Sequence, residues 1–61
     1  MAADLKNPQY WRVRAEEVMS VAENLVEDRE IREIMHRIAD DYARIAKIVE
    51  KKRDREQKYL P

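Results

Sequence analysis

An all-α fold, two helices turned back on each other as an antiparallel hairpin, is predicted by three features of the 61-residue chain. It has no glycine, and its two prolines stand at positions 8 and 61, so no helix-breaking residue lies between them. Apolar residues recur at helical spacing in two separate stripes. Between the stripes, Glu27-Asp28-Arg29-Glu30 carries no apolar side chain.

The first helix is expected over about residues 8–26. Asn7 can accept hydrogen bonds from the free amides of a first turn, and Pro8 has its φ pre-set for the first helical position. From there Trp11, Ala15, Val18, Ala22 and Leu25 follow at spacings of four, three, four and three. At 100° per residue these fall within an arc of roughly 80°. Met19, Val21 and Val26 widen it to roughly 160°. Arg12, Glu16, Ser20, Glu23 and Asn24 hold the opposite side.

The second helix is expected over about residues 29–53. Asp28 can cap it, with Glu30 in the first turn where a negative charge favours the helix dipole. Its stripe runs through Ile31, Met35, Ile38, Tyr42, Ile45 and Val49, flanked by Ile34, Ala39, Ala46 and Ile48. The pattern places Arg32, Glu33, His36, Arg37, Asp40, Arg44 and Lys47 on the far side. Glu33 with Arg37, and Asp40 with Arg44, are then acid-before-base pairs one turn apart.

A single continuous rod is the alternative, and the stripes argue against it. The step from Leu25 to Ile31 rotates the apolar face by about 120°, and a heptad carried on from Leu25 lands on Arg29, Arg32 and His36. A short connection makes the two helices antiparallel neighbours. Residues 1–6 and 56–61, ending in Tyr59-Leu60-Pro61, are expected to be loose.

A chain of this size is marginal as a lone core and ordinarily needs a staple. Without cysteine it can form no disulfide, and its one histidine leaves little for a metal. Association remains. Arcs this wide suit helices with two neighbours each, so a homodimer forming a four-helix bundle is expected. Its hairpin and dimer interfaces are drawn from Trp11, Ala15, Val18, Val21, Ala22 and Leu25 on the first helix. The second helix supplies Ile31, Ile34, Met35, Ile38, Tyr42, Ile45 and Val49.

Thirteen basic and thirteen acidic side chains cancel, which gives no global attraction to nucleic acid or an anionic membrane. No apolar run approaches the roughly 20 residues of a membrane span, and Met1-Ala2-Ala3-Asp4 opens no secretory signal, so a cytoplasmic location is expected. Glu33-Ile34-Met35-His36 has the Glu-x-x-His spacing of di-iron bundles, but the pattern turns both residues away from the apolar stripe and the first helix offers no inward carboxylate. There is one serine (Ser20), no threonine and no cysteine, so no nucleophile–base pair can be assembled. The expectation is a protein that is not an enzyme, with no cofactor, metal or small-molecule substrate. Lys51-Lys52-Arg53, Arg55 and Lys58 form a local basic cluster, interrupted by Asp54 and Glu56. A helix dipole suffices to explain it.

Tyr10-Trp11-Arg12-Val13-Arg14-Ala15-Glu16-Glu17, then Ala22-Glu23, then Ile34-Met35 through Ile38-Ala39 to Tyr42 and Ala46, carry a resemblance. The chain resembles, over about residues 10–49, short uncharacterised α-proteobacterial helical-hairpin proteins with a Trp-Arg-x-Arg-Ala-Glu-Glu opening and a Met-x-x-Ile-Ala-x-x-Tyr second helix. In that group a proline commonly follows the aspartate at the turn; here Arg29 follows Asp28. The resemblance implies the hairpin and no established activity. In architecture alone the expected dimer is similar to the plasmid RNA-binding protein Rop, a likeness that carries no function. The function expected is therefore a structural or protein-interaction module acting as a homodimer. The competing class is a small nucleic-acid-binding regulator.

Overall fold

The computed structural model describes residues 4–58, and within them two helices lie side by side: α1 over Pro8–Leu25 and α2 over Arg29–Lys58. Both chain ends seen in the sequence as loose fall partly beyond this range; residues 1–3 and Tyr59-Leu60-Pro61 lie outside the described residues.

Local chemistry sets each boundary. Asn7 caps α1 from an extended backbone, its Oδ1 accepting from the Gln9 N–H at 3.0 Å while its carbonyl accepts from the Tyr10 N–H at 3.1 Å. One turn earlier, the Asp4 carbonyl accepts from the Asn7 N–H at 3.1 Å and Asp4 Oδ1 from the Lys6 N–H at 3.1 Å. The turn is tied to α1 by the Trp11 indole, which donates to the Leu5 carbonyl at 2.9 Å. Residues 4–6 are thus held, where the sequence suggests a loose end.

α1 ends at Val26, which is extended (φ −108°, ψ 113°). With no glycine to adopt a left-handed closing residue, the helix leaves its last carbonyls free, and Arg32 supplies the donors. Its guanidinium donates to the Val26 carbonyl from Nη2 at 3.1 Å and Nε at 3.3 Å, and to the Glu27 carbonyl at 3.3 Å. A cation at a helix C-terminus also opposes the negative end of the dipole. Asp28 then starts α2, its Oδ1 accepting from the Ile31 N–H at 3.2 Å and its carbonyl from the Arg32 N–H at 2.9 Å.

α2 is 30 residues long and continues through Lys58, five residues past the expected end near 53. The basic residues of its last turns favour that end of the dipole, and the stretch 51–58 holds no glycine or proline.

The seam between the helices runs along small residues. Pro8 and Ala22 on α1, and Ala39 and Ala46 on α2, are buried; the three alanines are 0–2% exposed. Trp11, Ala15, Val18, Met19 and Val26 line it on one side and Met35, Tyr42, Ile45 and Val49 on the other, each half-buried. Alanine at the contact lets two helix backbones approach closely, while the larger side chains pack to either side of the line. No large side chain is fully buried among the described residues.

The sequence pattern puts Arg32 and His36 on the outside, and the structure corrects this: both are half-buried on the seam side of α2. The cause is the choice of stripe. Centring on the bulky residues places the inward direction about 70° away from the line through Ala39 and Ala46 that in fact meets α1. The surface ion pairs also differ from the expected ones. Glu33 pairs with Arg29 (3.4 Å) and Arg44 with Asp41 (3.8 Å), in place of Glu33–Arg37 and Asp40–Arg44. These exposed pairs are worth a few tenths of a kcal/mol in either arrangement, roughly the noise of side-chain entropy.

Candidate interaction face

The hairpin is a flat layer of 52 × 24 × 12 Å, one helix thick. A single layer has two broad faces, and here they differ. From the alanine seam, Val21 and Leu25 lie about 70–110° round α1, and Ile31, Ile34 and Ile38 about 70–130° round α2, in the same sense. Because the helices run antiparallel, equal senses of rotation open on one side of the layer. These five side chains are 40–76% exposed, and Ile48 further along α2 is 59% exposed. Val18 and Ile45, half-buried, bridge this face to the seam.

The other face is polar. Arg12 and Glu50 form an ion pair across the two helices there, and Glu16, Asp40 and Lys47 are exposed beside it. Glu33 is exposed while His36 turns inward, so the Glu-x-x-His pair does not converge. His36 Nε2 is buried without a hydrogen-bond partner among the described residues. No group of three or more His, Asp or Glu side chains that could hold a metal occurs among them.

The apolar face is graded along its length. At the turn end, Val18, Val21, Leu25, Ile31, Ile34 and Ile38 are all aliphatic. In its middle stand Arg14 and, at the outer edge, Glu17 and Asp41. Arg14 Nη1 meets Glu17 at 3.2 Å, Nε donates to the Tyr10 hydroxyl at 3.3 Å, and the guanidinium carbon lies 5.3 Å from the Tyr10 ring centre. The Tyr10 hydroxyl, with Glu17 adding to it, holds the Arg14 pKa above its ordinary value, so the site is cationic at all physiological pH. At the open end Tyr10 meets Trp11 edge to face, centroids 5.1 Å apart.

The open end also holds a cleft of about 490 Å³ between the N-terminal turn and the last turns of α2. Leu5 and Val49 form its apolar part; Lys6, Lys52 and Arg53 stand against Asp4 and Glu56 around it. The opposing charges leave it no strong preference for an anion or a cation.

Of the thirteen residues expected at interfaces, six line the hairpin seam: Trp11, Ala15, Ala22, Met35, Tyr42 and Val49. Val21, Leu25, Ile31, Ile34 and Ile38 stand on the exposed face, and Val18 and Ile45 lie between the two. What the sequence pattern missed is the inward placement of Arg32 and His36. A signal for it exists: Pro8, Ala15 and Ala22, and again Arg32, Ala39 and Ala46, recur every seven residues, the period of a close helix–helix seam.

No protein family, curated protein or solved structure matches this chain. No helix is long and apolar enough to cross a membrane among the described residues.

Proposed function

We propose that the protein is a non-catalytic, cytoplasmic self-association module, in which two copies bury their apolar faces against each other as a four-helix bundle and present the polar faces to a protein partner. One observation carries this reading: Val21, Leu25, Ile31, Ile34 and Ile38 stand exposed on one side of a layer a single helix thick. Stable domains use at least two packed layers around a shared core, and a contiguous apolar patch of this kind is uncommon on a monomer. A second copy supplies the missing layer with no further component.

The test is sedimentation with thermal melting over a range of concentration. The expected result is a dimer at low micromolar concentration, with a melting temperature that rises as concentration rises because association and folding are linked. Ile34→Glu and Ile38→Glu should each weaken association. A folded monomer with a concentration-independent melting temperature overturns the proposal.

The competing reading, a small nucleic-acid-binding regulator, would draw on Lys51, Lys52, Arg53 and Arg55. These share the last turns of α2 with Asp54 and Glu56, so the surface alternates in sign and lacks the continuous basic stripe such binding needs.

A further inference from the structure

Resting on the dimer reading above, we infer that the two hairpins pair with their turns at the same end of the bundle, α1 of one copy lying over α2 of the other, with Arg14 meeting the partner's Asp41. Two packed layers related by a two-fold axis have two such choices. Either the axis runs along the helices and the turns coincide, or it runs across them and the turns lie at opposite ends.

The hairpin's own register discriminates. The Trp11–Tyr42 stack fixes which residues of α1 and α2 stand level with each other. By that register Leu25 is level with Ile31, Val21 with Ile34, Val18 with Ile38 and Arg14 with Asp41, each to within one helical turn. With turns together, α1 covers the partner's α2 at the same level, so these level pairs become the contacts between copies. Aliphatic meets aliphatic through the turn half. In the middle the cationic Arg14 reaches the partner's Asp41 at the rim, a carboxylate whose own ion pair, to Arg44, is long at 3.8 Å.

With turns apart and α1 overlapped along its whole length, α1 covers its own copy in reverse. Arg14 then falls against an aliphatic residue, the partner's Val21, and Glu17 falls near the partner's Glu17 at the axis. Asp41 falls against the partner's Ile34. That arrangement covers a cation and a carboxylate with apolar side chains, gives neither an opposite charge across the interface, and sets like charges together, which is unfavourable. Charge and apolar pattern therefore select the same topology.

Two measurements on the full chain test this. Spin labels on Glu27→Cys at the turn and, separately, on Lys51→Cys near the open end report distances between copies. With turns together, both label pairs should lie within about 25 Å of each other, since each sits at one level of a bundle two helices wide. With turns apart, the Lys51→Cys pair is about 40 Å or more apart at 1.5 Å per residue, and that result overturns the inference. A charge exchange gives the second measurement. Arg14→Glu should weaken dimerisation about tenfold, and adding Asp41→Arg should restore it; a double variant as weak as the single one also overturns it. Failure of the wild-type chain to dimerise in sedimentation removes the dimer itself, whereas a dimer with distant Lys51→Cys labels removes only the topology.

Discussion

The indole of Trp11 stacks on the ring of Tyr42, with centroids 5.9 Å apart and planes 28° from parallel, joining the first turn of α1 to the middle of α2. The same indole donates to the Leu5 carbonyl, so one side chain fastens the N-terminal turn, α1 and α2 together. Trp11→Ala should cost about 3 kcal/mol, the usual range for removing a large aromatic from a packed site. Trp11→Phe keeps a ring against Tyr42 and loses the N–H, for a cost of about 1 kcal/mol. Urea denaturation followed by circular dichroism separates the two; equal losses would mean that the ring stack contributes nothing beyond the hydrogen bond.

Arg32 closes α1 where no glycine can. Arg32→Ala leaves the Val26 and Glu27 carbonyls to water and should cost about 1–2 kcal/mol. Arg32→Lys should recover less than half of that, because an ammonium lacks the forked donors that reach two carbonyls at once. The midpoint of chemical denaturation is the readout, and a fully restored lysine variant would show that charge alone suffices.

His36 brings a buried Nε2 to the seam with no hydrogen-bond partner for it among the described residues. Replacing the ring by an apolar side chain of similar size removes that unsatisfied atom, so His36→Leu should stabilise the fold by about 1 kcal/mol. A rise in melting temperature of a few degrees, about what that energy gives in a chain this small, is the expected observation. A fall would mean that the imidazole is satisfied in solution.

The alanine seam admits no larger residue. Ala39→Leu or Ala46→Leu should destabilise by about 1–3 kcal/mol through overpacking. Leu25→Ala, by contrast, touches a side chain that is 76% exposed and should leave the hairpin seam intact while weakening self-association. Melting temperature and sedimentation, measured on the same variants, distinguish the two surfaces.

The sequence reads well where a single residue has a single local job. Asn7-Pro8 and Asp28 announce both helix starts, and the apolar gap at residues 27–30 announces the turn, because capping and turn chemistry act within a few residues of their cause. The rotation of α2 about its own axis was not legible in the same way. Ile31, Ile34 and Ile38 look inward by hydrophobicity, yet Ala39 and Ala46 hold the contact, since closeness of approach depends on smallness as much as on oiliness. The resulting shift turned Arg32 and His36 from expected surface residues into seam residues. The split of the apolar residues between seam and open face is likewise a property of two helices together, and neither stripe alone contains it.

The tight connection at Val26–Asp28 also shapes the route by which the hairpin closes. Contact between Arg32 and Val26 spans six residues, whereas the Arg12–Glu50 pair spans 38. Loop-closure entropy grows with separation, so contacts beside the turn are the easiest to make first and those at the far end become inexpensive only after the intervening turns have zipped. The hairpin is therefore expected to close from its bend outward, with the Arg12–Glu50 end the last to form.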